Sequence, residues 1–367
     1  MKTASGGLVV IGPTPPPFHG VAVMTGQMIS AIDGSGALVA TLDTADRRPV
    51  ETIGRFDFEN VRLGIRHAFE LANLLRRHRG SSVYFPISQS TWGFMRDALL
   101  VLVGIAFRRR VYAHFHGASF QRFYRESPAV MKPLIRSVLH SLTEVWVLTE
   151  SLRGVFEGLV DSQRIRVVEN VIDDPWPAGI DRSVRRDHRL QIVFLGNLLP
   201  DKGVDVLLDS LLLIADQASD WSIRVVGKPF SSGHAQLESR VKELVAMGVD
   251  VKLLGSLHGA EKDQQLEQAD IFAYPTRDDG QPLVLLEAMA AGLAIVATRV
   301  GGIPDTLADG DCGLIIEPGD ADQLAAALLE LAADPKLRIK LGESARSRFE
   351  ASYRPERLMH DVMEFVS

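Results

Sequence analysis

The sequence predicts an α/β chain of two domains, each a doubly wound and mostly parallel sheet. Three observations carry this. Strand-length apolar runs alternate with helix-period segments from residue 8 to residue 168. A stretch rich in Asp, Pro and Arg, with no apolar period, follows over residues 173–189. The same alternation then restarts at Gln191. The expected boundaries are 1–175 for the first domain, 176–188 for a linker, 189–350 for the second domain, and 351–367 for a C-terminal helix docking across both. A length of 367 residues independently suggests two domains.

In the first half, residues 8–11 form a buried strand, and a proline-rich loop, 12–20, enters a helix near 21–32. A polar segment precedes a helix at 61–77, then come a strand at 82–86, a helix at 95–107 and a strand at 110–114. Helix 134–142, strand 144–148, helix 151–158 and strand 166–168 complete the domain. In the second half, strands are expected at 191–195, 223–226, 251–254, 271–274, 294–297 and 313–316. Helices at 204–216, 237–247, 261–269, 283–291 and 320–332 follow them in turn. Residues 335–349 are helical too, and 355–365 form an amphipathic tail.

Composition excludes several function classes. The chain is 46% hydrophobic and 23% charged, ordinary for a globular protein. Its single cysteine, Cys312, allows no internal disulfide and no thiolate metal cluster, which fits a reducing compartment. No secretory signal is expected at the N-terminus, and the longest apolar run, 98–107, is about half of what a bilayer span needs. Residues 1–180 carry 20 basic and 16 acidic groups, leaving 20 basic and 30 acidic beyond. Clusters at Arg76, Arg77, Arg79 and at Arg108, Arg109, Arg110 read either as solvated helix ends or as a contact with an anionic membrane face. An acidic balance without aromatic and basic interleaving argues against nucleic acid as a partner.

The most informative stretch is YPTRDDGQPLVLLEAMAAGLAIVATRVGGIPD, 274–305. A strand ends at a loop bearing Asp278 and Asp279, and the loop enters a helix that is apolar all round except for Glu287. A carboxylate there is costly unless something satisfies it. Read structurally, Glu287 belongs to an internal network; read functionally, it and Asp279 present acceptors to a ligand beside free helix-start amides. Upstream, Gly196 and Gly203 bracket a helix start with Lys202 beside it, a pattern suited to an anion such as phosphate. In AHFHGASF, His114 and His116 stand where a parallel strand gives way to a loop, the edge at which open α/β sheets bind ligands. They are candidates for a metal pair lacking a third ligand, for structural histidines, or for a ligand-facing His116.

Taken in order, these motifs resemble the retaining glycosyltransferases of family 4, over nearly the whole length. DDGQPLVLLEAMAAG is similar to the family's E-x7-E block and LGNLLPDKG to its phosphate loop; PTPPPFHG, HFHG, ENVID at 169–173 and VGGIPD at 300–305 support them. FPISQSTWGFMRDALL with HFHGASFQRFY is similar to a bacterial subgroup that builds surface polysaccharides. The resemblance implies a GT-B fold, two facing Rossmann-like domains, and transfer of a sugar from a nucleotide-sugar to a lipid-linked or saccharide acceptor. It implies no cofactor and no obligatory metal, and a cytoplasmic chain, peripheral on the inner membrane face. Carried over residue by residue, Glu287 holds the ribose hydroxyls. Asp279, with the backbone of Gly280, Gln281, Pro282 and Leu283, grips the transferred sugar. Lys202, with Gly196 and Asn197, meets the diphosphate. His116 lies by the donor sugar, and Gly20 lets its loop approach the phosphates. The implied catalytic set is therefore His116, Asp279 and Lys202. Three departures from the family pattern matter: Asn197 where Arg is common, Asp279 where Glu is usual, and His19-Gly20 where paired glycines are usual. With Asn197 an amide, phosphate charge rests on Lys202, with Lys228 as a second candidate. These departures keep open a catalytically impaired GT-B partner protein, and a nucleotide-sugar isomerase or hydrolase. Base, sugar, acceptor and oligomeric state are not legible.

Overall fold

A computed structural model describes residues 7–16, 19–45, 58–180, 189–228 and 234–366. Pro17 and Phe18 of the proline-rich loop, and residues 181–188 of the expected linker, lie outside the described residues. The chain divides into two units, Met1–Val171 with Pro355–Ser367, and Ile172–Arg354.

The first unit runs β1 (Leu8–Gly12), α1 (Gly20–Gly34), β2 (Leu38–Asp43), α2 (Phe58–Arg77), β3 (Ser82–Pro86), α3 (Thr91–Ala106), β4 (Val111–Phe115), α4 (Phe120–Glu126), α5 (Met131–Ser141), β5 (Glu144–Val147) and β6 (Ile165–Val167). Its six strands pair in parallel in the order β2-β1-β3-β4-β5-β6. β1, β3 and β4 are buried along their whole length, which is why they read as unbroken apolar runs rather than alternating ones. β2 is a strand where only a polar segment is expected. It is the edge of the sheet and half-buried, so LVATLD carries neither a continuous run nor a clean alternation. The expected helix at 151–158 is instead a short 3-10 helix, Ser151–Phe156, followed by Gly158 in the left-handed region.

The second unit runs β7 (Gln191–Leu195), α6 (Val204–Leu213), β8 (Ser222–Val226), α7 (His234–Ala246), β9 (Asp250–Gly255), α8 (Ala260–Gln268), β10 (Ile271–Tyr274), α9 (Leu283–Ala290), β11 (Ala294–Thr298), α10 (Ile303–Thr306), β12 (Leu314–Ile316), α11 (Ala321–Ala333) and α12 (Pro335–Ser352). Its strands are again all parallel, ordered β12-β11-β10-β7-β8-β9. The order reverses beside β7 and β10, and at such a switch point the loops leaving the carboxyl ends of the strands open a crevice. Asp174 and Trp176, within or beside the expected linker, are not part of a free tether. Trp176 packs against this unit's core, and Asp174 bonds Arg346 and Arg354 at 2.7 Å. Burial works against the Asp174 carboxylate, yet the two guanidiniums hold it below the usual range.

The last helix, α13 (Pro355–Val366), groups with the first unit and packs on α1, burying Leu358 and Val362. Both cores are continuous clusters, and the second is the larger.

Candidate functional site

In the second unit, the loops after β7 and β10 are stitched together at the carboxyl edge of the sheet. The Arg277 amide donates to Asp201 O at 2.7 Å and the Thr276 hydroxyl to the same oxygen at 2.9 Å. The Arg277 guanidinium clamps Asp205 with two bonds of 2.8 Å and reaches Pro200 O at 2.6 Å. Glycine at 203 permits this contact: its φ is +74°, and a Cβ there would stand 1.8 Å from Pro275 O. From the other side the VGGIPD loop supports the same turn, since Gly302 N donates to Gly280 O at 2.6 Å. At Gly301, φ +52°, a Cβ would meet Asp279 O at 1.9 Å.

These loops bring Lys202 and Asp279 together. Lys202 Nζ lies 2.5 Å from Asp279 Oδ2 and 3.3 Å from Asp278 O. Tyr274 OH donates to the same Oδ2 at 2.8 Å, while Oδ1 accepts from Gly280 N at 3.0 Å. Both oxygens of Asp279 are thus engaged. Burial and the adjacent Asp279 charge push the Tyr274 phenol well up, so it remains a donor.

Glu287 sits in α9, whose Leu285, Leu286, Ala288, Met289 and Ala290 are all buried. Its Oε1 lies 2.7 Å from Lys262 Nζ, from α8, and its Oε2 is buried with no hydrogen-bond partner. Burial pushes the carboxyl up, and Lys262 opposes the rise. The start of α9 has no side-chain cap, so the amides of Leu283 and Val284 have no intrahelical acceptor. Pro282, buried and preceding the helix, has no N–H to offer. Gln281 turns inward, its Nε2 donating to Thr306 Oγ1 at 3.2 Å. Gly196 is anchored by its amide on Val226 O at 3.0 Å, and the Asn197 side chain is exposed. Lys228, the other candidate cation, is exposed too, its carbonyl accepting from Leu198 N at 3.0 Å.

In the first unit, His114 and His116 take different parts. His114 Nε2 lies 3.0 Å from Val168 O, and a carbonyl only accepts, so Nε2 carries the proton and Tyr84 OH donates to Nδ1 at 2.9 Å. Burial, with His116 adding to it, drives this imidazole well down, and it is a neutral structural bridge between strands. His116 follows the end of β4, its ring 4.1 Å from that of His114, with both ring nitrogens buried and making no hydrogen bond of normal geometry. Burial pushes it down to about 4, Asn170 opposing. The loop beyond is pinned by Gln89, which donates to Gly117 O at 2.9 Å and accepts from Ser119 N at 3.1 Å. Gly20 opens α1, capped by His19 Nδ1 at 3.3 Å from Ala22 N, and among the described residues nothing beyond its chain neighbours and its own helix backbone lies within 4 Å of where its Cβ would stand. Among the described residues, no group of three or more His, Cys, Asp or Glu is placed to hold a metal, and no helix is long and apolar enough to cross a membrane.

The site residues that sequence reasoning misses are Lys262, Tyr274 and Arg277. Lys262 lies in the polar helix AEKDQQLEQ, where nothing local distinguishes it from a solvated lysine. Tyr274 has a weak signal, a hydroxyl on the last residue of a buried strand.

Residues 189–334 match the family model of glycosyl transferases group 1. The D-inositol 3-phosphate glycosyltransferase of Corynebacterium glutamicum (strain R) is 31% identical over 198 residues, 50% of this chain and 47% of that one. The GDP-mannose-dependent monoacylated alpha-(1-6)-phosphatidylinositol monomannoside mannosyltransferase of Corynebacterium glutamicum (strain ATCC 13032) is 32% identical over 164 residues, 42% of this chain and 41% of that one. The chain spans about half the length, or less, of the curated relatives it matches. Sucrose-phosphate synthase from Thermosynechococcus elongatus superposes over 98% of both chains with a TM-score of 0.76 at 16% identity, a likeness of fold. The chain thus carries the GT-B fold, and residues 189–334 of its second unit are similar to the glycosyl transferases of group 1.

Proposed function

We propose that this chain is a retaining glycosyltransferase that moves a sugar from a nucleotide-sugar to a lipid-linked or saccharide acceptor. The product belongs to surface polysaccharide or glycolipid, and the work is done at the cytoplasmic face of a membrane. The observation that carries this is the Glu287 carboxylate, with one oxygen on Lys262 and the other buried without a hydrogen-bond partner, in a helix whose start has no side-chain cap. Ribose hydroxyls supply the donors that oxygen lacks, and each hydroxyl bonding to an ionised carboxylate is worth about 1.5–3 kcal/mol. The relative's dependence on GDP-mannose supports a nucleotide-sugar donor, and its phosphatidylinositol monomannoside acceptor supports a lipid-linked one.

In this reading Lys202 exchanges part of its contact with Asp279 for the diphosphate, and Asp279, still held by Tyr274, takes hydroxyls of the transferred sugar. The reaction is mainly electrostatic: cation and helix-start amides stabilise the leaving diphosphate while an oxocarbenium-like centre develops. The acceptor enters on the leaving-group face, so configuration is retained. His116 and Gly20 are assigned to the donor sugar and the phosphates through the resemblance, and no metal is required. A panel of nucleotide-sugars, screened by calorimetry and by acceptor-dependent release of nucleoside diphosphate, tests the assignment. Binding of one donor with acceptor-dependent turnover is expected; failure to bind any nucleotide overturns it.

A further inference from the structure

Outside the candidate site, the largest unexplained feature is on the first unit. α2 exposes Val61, Ile65 and Phe69, four residues apart and therefore in one stripe, with Phe69 69% exposed. α3 exposes Trp92, Met95, Leu99 and Leu102, also one stripe, with Leu102 50% exposed. The two helices pack side by side, closely enough that a Cβ on Gly64 would meet the Arg96 side chain at 3.3 Å. Their opposite faces supply the core through Leu71, Leu75, Phe94 and Val101. Apolar stripes exposed in this way are not needed by the fold.

The charges beside it are not scattered. Arg109 Nη2 donates to Leu75 O at 2.8 Å, and the Arg76 guanidinium lies 5.5 Å from the Phe107 ring centroid. These contacts bring the C-terminal ends of α2 and α3 together, so Arg76, Arg77, Arg79, Arg108 and Arg110, all exposed, gather at one end of the apolar face. Arg62 and Arg66 flank the α2 stripe, and the exposed Glu70 beside it is paired with Arg66 at 3.6 Å.

We propose that this face docks on an anionic lipid bilayer, the apolar stripes entering the headgroup region and the arginine cluster meeting lipid phosphates. It rests on the proposed function only for the reason a membrane is at hand. A mixed apolar and cationic face matches such a surface on both counts, whereas a second copy of the same chain would set the arginine clusters against like charge.

The test is flotation of the full chain with vesicles of phosphatidylcholine containing phosphatidylglycerol, against pure phosphatidylcholine, with nucleoside diphosphate titrated into the same samples. Binding is expected to anionic vesicles and to weaken as salt rises. Phe69→Ser and Leu102→Ser should each lower partition about tenfold, and Arg108→Glu with Arg110→Glu by on the order of 20-fold at low salt. All four side chains are exposed, so unfolding midpoint and nucleotide affinity should stay at wild-type values. Equal binding to both vesicle types, indifference to these substitutions, or a lipid-free dimer that Phe69→Ser dissociates would overturn the proposal. Vesicle binding without any nucleotide binding would sustain this surface and remove the proposed function instead.

Discussion

Replacing Lys262 with Met removes the charge opposite Glu287 while keeping much of the stem. The ammonium sits 2.7 Å from Oε1, with side-chain exposures of only 23% and 17%, so solvent screens the pair weakly. A charge-assisted hydrogen bond in such a setting is worth about 1.5–3 kcal/mol, which at 1.36 kcal/mol per pH unit is about one to two units. Burial already holds the Glu287 carboxyl above its usual range and Lys262 restrains the rise, so the variant's carboxyl moves further up. If the proposed function holds, nucleoside diphosphate binding depends on the ionised acceptor, and its loss on acidification should begin about one to two pH units higher in the variant. Stability follows the same sign. A carboxyl raised in the folded state costs stability above its folded pKa, and the cost fades as pH falls through that value. The variant should accordingly unfold more easily than wild type at pH 8, and the gap should close on acidification. Calorimetric titration and thermal unfolding between pH 5 and 8 read both effects, with Lys262→Arg as the rescue. An acid limb at the wild-type position, with affinity unchanged, would show that Lys262 does not govern Glu287.

Glu287→Ala should weaken nucleoside diphosphate binding about 10- to 100-fold, by the loss of a charged acceptor; unchanged calorimetry would contradict the ribose assignment. Lys202→Ala should weaken diphosphate binding more than binding of the bare nucleoside, and equal losses would place the lysine elsewhere. Gly301→Ala forces a Cβ against Asp279 O from a φ of +52° and should cost about 2–3 kcal/mol in chemical unfolding, with nucleotide affinity falling in step. Removing divalent ions with EDTA should leave transfer intact, and loss restored by a divalent ion would refute the metal-free reaction.

The architecture was readable because a parallel sheet covered on both faces writes its strands as solid apolar runs, as in residues 8–11 and 191–195. β2 escaped for the converse reason, being an edge strand with one half-wet face. Glu287 and Asp279 stood out because a carboxylate among apolar neighbours or before a helix start is chemically conspicuous. Their pairings did not, although Lys202 itself reads as a phosphate cation. Lys202 is 77 residues from Asp279 and Lys262 is 25 from Glu287, and no periodicity relates such positions. His114 and His116 show the limit most plainly, since neighbours in one motif divide into a bonded bridge and an unbonded ring only when Tyr84 and Val168 are brought to one of them.

The return of α13 to α1 has a consequence for biosynthesis. A nascent chain exposes Met24, Met28 and their neighbours long before the ribosome delivers Leu358 and Val362, while Ile172–Arg354 has all of its own parts in one uninterrupted segment. The unit translated second is thus free to mature first, and the earlier one waits, one helix short, for the codons of Pro355–Val366 before its surface is sealed.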